Sequence, residues 1–215
     1  MTTDVIEDPL LVLHQLFSPS FPVGAFAWSH GLETAISEGV VRDAASVEAW
    51  LRTALEHGAG WSDAVLCARA AFGDDLAALA DLAAALAPSS ERRAETLEQG
   101  AAFARTVRDV WGVAVPDAAY PVAVGAAIRA LGLPVQDGLR LFLQAFAANL
   151  TGAAVRLVPL GQTAGQRITR ALAPLCRSLA DKALSADPDD IGGFAPMLDI
   201  QSMRHEILYS RVFRS

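Results

Sequence analysis

The sequence predicts an all-α domain, and three observations carry that prediction. Apolar residues recur at the helical period in stretch after stretch, no segment of useful length alternates with period two, and alanine dominates the small residues. At 215 residues the chain fits one domain with a sizeable core. The pattern gives a bundle-like body of roughly 8–10 helices, followed by a C-terminal docking tail.

Val47, Trp50, Leu51, Ala54 and Leu55 share one helix face behind Ser46, read as the N-cap, with Gly58 as the stop. Leu76, Leu79, Leu82, Ala83 and Leu86 form the next helix, which ends at Pro88. Leu97, Ala101, Ala104, Val107 and Trp111 mark a longer one from near Ser90 to Gly112. Another begins after Pro121 and stops at Gly132. Pro134 then opens a helix, in a favourable first-turn position, that runs to Val158 ahead of Pro159. Residues 162–184 make a further helix with an expected kink at Pro174.

Two stretches interrupt the pattern. Residues 18–24 must turn in extended conformation, because a residue before proline avoids the helical region. Residues 186–198 read as an acidic, Pro/Gly-rich linker between a body of residues 1–185 and a tail of residues 199–215. Chain ends usually fray and turn polar. This tail instead carries Tyr209, Phe213, Arg204, Arg211 and Arg214, and places Ile200, Met203 and Ile207 on one helical face. It is built to dock.

Composition narrows the function. The chain is 53% hydrophobic and 19% charged, against about 25% charged in average domains, so apolar patches are expected at the surface, where they mark protein contacts. A membrane span is not expected: Pro9, Pro19 and Pro22 break the uncharged stretch between Asp8 and Glu33, and residues 141–155 are too few and include Gln144, Asn149 and Thr151. The acidic opening with Asp4, Glu7 and Asp8 does not fit a secretory signal. A net charge of −7 argues against nucleic acid. Cys67 and Cys176 are far apart with no C-x-x-C spacing, which suits a reducing cytoplasm.

Chemistry is sparse. His30 and Glu33 form an H-x-x-E pair on a helix face, but the E-x-x-H spacing of carboxylate-bridged metal bundles is missing, so a hydrogen-bonded structural pair is the better reading. His205 and Glu206 are adjacent and diverge on a helix, which favours partner contact or solvent exposure over a catalytic dyad. Ser29 beside His30 is poor geometry for nucleophile and base, and there is no G-x-S-x-G elbow. Residues 161–166 lack the lysine of a phosphate loop. Gln144, Asn149, Gln162 and Gln166 read as partners for buried polar groups or as devices at a helix seam. Nothing here makes an enzyme.

Three stretches carry a family resemblance. Ser18-Pro19-Ser20-Phe21-Pro22-Val23-Gly24-Ala25-Phe26-Ala27-Trp28-Ser29-His30-Gly31-Leu32-Glu33 resembles the N-terminal signature of the urease accessory UreF family. Arg156-Leu157-Val158-Pro159-Leu160-Gly161-Gln162-Thr163-Ala164-Gly165-Gln166 is similar to its central signature, and the tail from Asp199 through Met203-Arg204-His205-Glu206 to Tyr209-Ser210-Arg211-Val212-Phe213-Arg214-Ser215 to its C-terminal one. Arg92, Trp28 and Ala164 depart from the family's usual residues. The resemblance implies an all-helical, cytoplasmic homodimer without enzymatic activity or a tightly bound cofactor. It implies partners UreD (also called UreH), the GTPase UreG and apo-urease, in a complex that delivers nickel. By the same resemblance the tail orders against UreD, with Tyr209, Ser210 and Arg211 as contacts and Met203, Arg204, His205 and Glu206 as the preceding helix. Phe26, Ser29, His30 and Glu33 join the partner platform. Two alternatives stay open: a regulator of UreG GTP hydrolysis, with Arg211 or Arg204 as an arginine finger, or an unrelated all-α metal-binding protein.

Overall fold

Small residues decide which helices meet in this fold. A computed structural model describes residues 8–215; Asp4 and Glu7, which weighed against a secretory signal, lie outside the described residues. The described residues form ten α-helices and no strand: α1 (Pro9–Leu16), α2 (Leu32–Ser37), α3 (Ala44–Glu56), α4 (Ala59–Phe72), α5 (Leu76–Ala85), α6 (Ser90–Trp111), α7 (Tyr120–Ala130), α8 (Val135–Leu157), α9 (Gln162–Ala183) and α10 (Pro196–His205). Short 3-10 turns occupy Ala25–Ala27 and Pro188–Asp190. The all-α prediction holds.

α4 and α7 are the buried centre. Residues 64–68 of α4 and 121–128 of α7 are buried on every side, a pattern only a central helix pair can carry. Gly125 makes their contact possible, since a Cβ there would sit 2.2 Å from the Cys67 carbonyl oxygen. Gly100 likewise lets α6 approach the start of α7, where a Cβ would meet the Ala118 carbonyl oxygen at 1.9 Å. α8 packs on α9 along the other side, with Leu143, Leu150, Ala154, Ile168 and Leu172 sealed between them and the centre.

Four helix starts are set by side-chain oxygens. Asp8, Asp75 and Ser89 cap α1, α5 and α6 by accepting backbone N–H groups of the first turn. At α3 the cap is Asp43 rather than Ser46. Asp43 accepts from the Ser46 N–H at 2.8 Å while Ser46 Oγ accepts from the Asp43 N–H at 3.0 Å, a reciprocal capping box that begins the helix earlier than its apolar face does. α9 continues through Pro174, which is exposed. Residues 18–24 form the turn expected of them, closed by a Phe21 N–H to Ser18 carbonyl bond of 2.9 Å. Phe21 is thereby buried against Phe103, with ring centroids 5.2 Å apart.

The segment 186–198 follows the body surface. Trp61 Nε1 donates to the Asp190 carbonyl at 2.9 Å, Ala186 and Ala195 are buried, and Gly193 lies so close to α3 that a Cβ would stand 2.0 Å from the His57 carbonyl oxygen. It delivers α10 onto α2 and α6.

Candidate functional site

α10 has two unlike faces. Gln201, Ser202 and His205 are buried, while Met197, Ile200, Met203 and Arg204 face outward. The buried face meets the start of α2 at Gly31, whose φ of +74° and missing Cβ both matter: a Cβ would fall 2.5 Å from the Ser202 backbone nitrogen. Only glycine accepts that conformation without strain and that approach without collision. Ser202 Oγ also pairs with Ser89 Oγ at 2.7 Å, which ties α10 to the cap of α6.

Beyond α10 the chain turns back across an acidic bed. Glu33 and Glu38 from the α2 region and Glu91 and Glu98 of α6 meet His205 and the tail arginines, while Glu95, on the same face of α6, accepts from the Ser215 hydroxyl. Arg204 pairs with Glu38 at 3.0 Å, Arg214 with Glu98 at 2.6 Å, and Arg211 with Glu91. Glu33 is the organiser. Its two carboxylate oxygens accept the Val212 N–H at 2.6 Å and the Phe213 N–H at 2.8 Å, and the second also faces His205 Nε2 at 3.1 Å. His205 Nδ1 faces Glu91 at 2.7 Å, so both ring nitrogens of a fully buried histidine stand against carboxylates.

The end of the described chain lies on the N-terminal signature. The Ser29 N–H donates to the Ser215 main-chain oxygen at 2.7 Å, and the Arg214 N–H to the Ala27 carbonyl at 2.8 Å. The Arg214 guanidinium covers the Trp28 ring, 4.3 Å from its centroid. From the central signature, Arg156 donates to the Phe26 carbonyl at 3.0 Å and lies 5.7 Å over the buried Phe213 ring. Three stretches far apart in sequence thus form one site.

Behind this bed lies a second buried cluster. His30, at φ 55°, turns its ring toward α6, where Nε2 stands 2.9 Å from Glu95 and 2.7 Å from Arg92. Burial, then the Arg92 charge, hold His30 below the usual imidazole range, so Nε2 is free to accept from Arg92. Burial alone would raise Glu95, but Arg92 and His30 outweigh it and bring that carboxyl down to about 2. Asp63 differs: burial pushes it up to about 7, and it forms no ion pair among the described residues. Two cavities of about 120 and 70 Å³ meet at His30, Asp63 and Arg92. The buried Cys67 thiol is pushed up by desolvation and Cys176 to about 11, which leaves neither as a ready thiolate. Among the described residues, no group of three or more His, Cys, Asp or Glu side chains could hold a metal ion, and no helix is long and apolar enough to cross a membrane.

This geometry belongs with a sequence match: the model of the UreF family covers residues 41–173. The chain belongs to the UreF family of urease accessory proteins. It is 54% identical to urease accessory protein UreF of Cereibacter sphaeroides over 206 residues, 96% of this chain and 98% of that one. It is 49% identical to that of Roseobacter denitrificans over 210 residues (97% and 95%), and 43% identical to urease accessory protein UreF 1 of Brucella canis over 224 aligned positions (99% and 98%).

The residues that the UreF resemblance nominates divide by exposure. Tyr209, Ser210, Arg211, Arg204, Glu206, Met203 and Phe26 are exposed, whereas His205, Ser29 and Glu33 are buried and His30 nearly so, each engaged by the chain itself. His205 therefore corrects the expectation of partner contact or solvent exposure: divergence from Glu206 does occur, but it sends His205 inward, fully buried, while Glu206 bonds Ser90 at 2.8 and 2.7 Å. His30 and Glu33 do not pair with each other. α2 begins at Leu32, so the helical i, i+3 rule does not reach His30, and the two side chains leave in different directions. Sequence reading missed Glu38, Glu91, Glu95 and Glu98 as tail receptors and Arg156 as the clasp on Phe213. The spacing of Glu91, Glu95 and Glu98, which puts three carboxylates on one helix face opposite an arginine-rich tail, was the available signal.

Proposed function

We propose that this chain is a scaffold for assembly of the urease nickel centre: it binds UreD (UreH) through the outer side of its C-terminal segment, and the pair recruits the GTPase UreG to deliver nickel to apo-urease. On this reading it works in the cytoplasm as a homodimer, has no catalytic reaction of its own, and treats nickel as cargo of the complex. The observation that carries it is the division of the tail. Its inner side is fixed by Glu33, Glu91 and Glu98, while Met197, Ile200, Met203, Ile207, Tyr209 and Val212 stand exposed on its outer side. Exposed apolar side chains held on a rigid support suit a protein interface, where aromatic and arginine anchors dominate the binding energy. The arginine-finger alternative loses ground because Arg204 and Arg211 are already paired with Glu38 and Glu91.

The test is co-purification with UreD. The double variant Ile207→Asp, Tyr209→Ala changes two exposed side chains and is expected to keep its thermal midpoint while losing at least about tenfold in complex yield, the effect of an anchor worth 1.4 kcal/mol or more. Wild-type yield from that variant, or failure of the unaltered pair to co-purify, overturns the reading.

A further inference from the structure

We infer that the outer face of α9 is a docking surface for an acidic segment of a partner protein, separate from the surface offered by the tail. The inference goes beyond the docking reading above and does not depend on it.

In a chain of net charge −7, α9 carries Arg167, Arg170, Arg177 and Lys182 against a single carboxylate, Asp181. All five side chains are exposed. The helical rise and turn put Arg167, Arg170 and Arg177 on one side of α9 over about 15 Å. Gln162, Thr163, Gln166 and Ser178 surround them, and α9 exposes no large apolar side chain. Elsewhere the chain supplies partners for its own cations: Arg69 is held by Asp74, Arg108 by Asp117, Arg204 by Glu38 and Arg214 by Glu98. On α9 that supply runs out. Asp181 is taken by Arg140 at 2.8 Å and by Gln136 at 2.8 Å, both from the start of α8, while Arg177 stands 3.9 Å from its other oxygen. Arg167, Arg170 and Lys182 have no side-chain hydrogen bond or ion pair among the described residues.

Charge complementarity names the occupant. Like charges close together on a helix face repel, so Arg167 and Arg170 gain from a carboxylate set against them. A guanidinium fork binds a carboxylate through two parallel hydrogen bonds, and arginine is among the residues that dominate interface energies. A shallow depression bordered by Pro174, Arg177 and Lys182 gives an acidic side chain room to enter. Nucleic acid and anionic membrane present extended negative charge, which the net negative charge of the whole chain repels. A short acidic segment meets this face alone and avoids that repulsion. The two surfaces also rest on different supports, since α9 packs on α3, α4 and α8 whereas α10 packs on α2 and α6. The tail offers apolar side chains and α9 offers cations, so each face suits a different partner.

The experiment is fluorescence anisotropy of a labelled glutamate-rich peptide of about twelve residues, long enough to span the three arginines. It is titrated with the full-length chain at about 50 mM salt, where surface charges are weakly screened. Binding is expected, and Arg167→Glu, Arg170→Glu should weaken it by about tenfold or more while the thermal midpoint is kept. Arg167→Gln, Arg170→Gln removes both charges at similar helix propensity and should weaken it by about threefold or more. Arg93→Glu, Arg105→Glu makes the same change of net charge at two exposed positions of α6, and its effect should stay within about twofold, as for a charge that acts only at a distance. An unbound peptide, a loss in the α6 variant equal to that in the α9 reversal, or tighter binding of the wild-type chain to polyuridylate or to phosphatidylglycerol vesicles overturns the inference. Neither UreD nor any tail residue enters this experiment, so its failure would leave the docking reading standing, and a failed co-purification would leave the α9 surface standing.

Discussion

The two buried histidines of this protein sit in opposite electrostatic settings. His30 lies beside a glutamate that already has an arginine, so the positive charge of the cluster is supplied by Arg92 and the ring is held below its usual range by burial and by that cation. His205 lies between two glutamates, and the nearest arginine reaches only the far oxygen of Glu91. The same residue type shares its carboxylate with an arginine in the body and stands between two carboxylates under the tail. The difference lies in the number of cations per carboxylate, not in burial.

Removing the carboxylate that serves the tail cluster should break the comparison most strongly. Glu33→Ala deletes the acceptor of two backbone N–H groups and one partner of His205 in a buried site. Loss of one member of a buried charged network costs about 3–5 kcal/mol. Chemical denaturation should report a loss of that size, with proteolysis appearing first within residues 206–215. A loss below about 1 kcal/mol, the scale of an exposed pair, would mean that Glu33 does not organise the tail. Gly31→Ala should come next. It leaves every charge in place but adds a methyl group 2.5 Å from the Ser202 backbone at a φ of +74°. Strained backbone of this kind costs about 1–3 kcal/mol. The variant should loosen α10 while His30 keeps its contacts, visible as raised exchange in residues 196–205 with no change in α6 beyond its first turn, which Ser202 and Glu206 touch.

Much of this architecture was legible in advance. The periods of α3, α6, α8 and α9 stood out because each has a polar face to contrast with its apolar one, and α5 was marked by its spaced leucines and by Pro88 after it. α4 did not stand out, since a central helix buried on all sides has no such contrast. At the site, the exposed face of Ile200 and Met203 and the inward–outward split of His205 and Glu206 followed from helical geometry. The direction of each side chain did not. Which of the two turned inward depends on α10 lying over Gly31, a contact between residues some 170 positions apart that no local period encodes. The pairing of His30 failed for a local reason, because a left-handed residue just before α2 removed it from the helix frame.

The smallest expected effect lies on the His30 side and has the opposite sign. Asp63 borders His30 and Arg92 at the meeting of the two cavities, and burial raises its carboxyl from an ordinary 3.8 to about 7. The folded chain therefore binds this proton more tightly than the unfolded chain does. Its contribution to stability is fully present below the unfolded value and is lost as pH rises toward about 7, the reverse of Glu95, whose contribution is present above its ordinary 4.5 and lost as pH falls toward about 2. Asp63→Asn keeps the shape and removes the charge. It should raise the thermal midpoint at about pH 8 by about 2–4 °C, the shift for roughly 1 kcal/mol in a chain of this length. It should change little below about pH 3.8, where the acid is protonated in both the folded and the unfolded chain. A variant that is less stable than wild type at the higher pH would show that the Asp63 carboxylate is a needed partner of Arg92, and that the body cluster holds charge in a finer balance than one arginine for one glutamate.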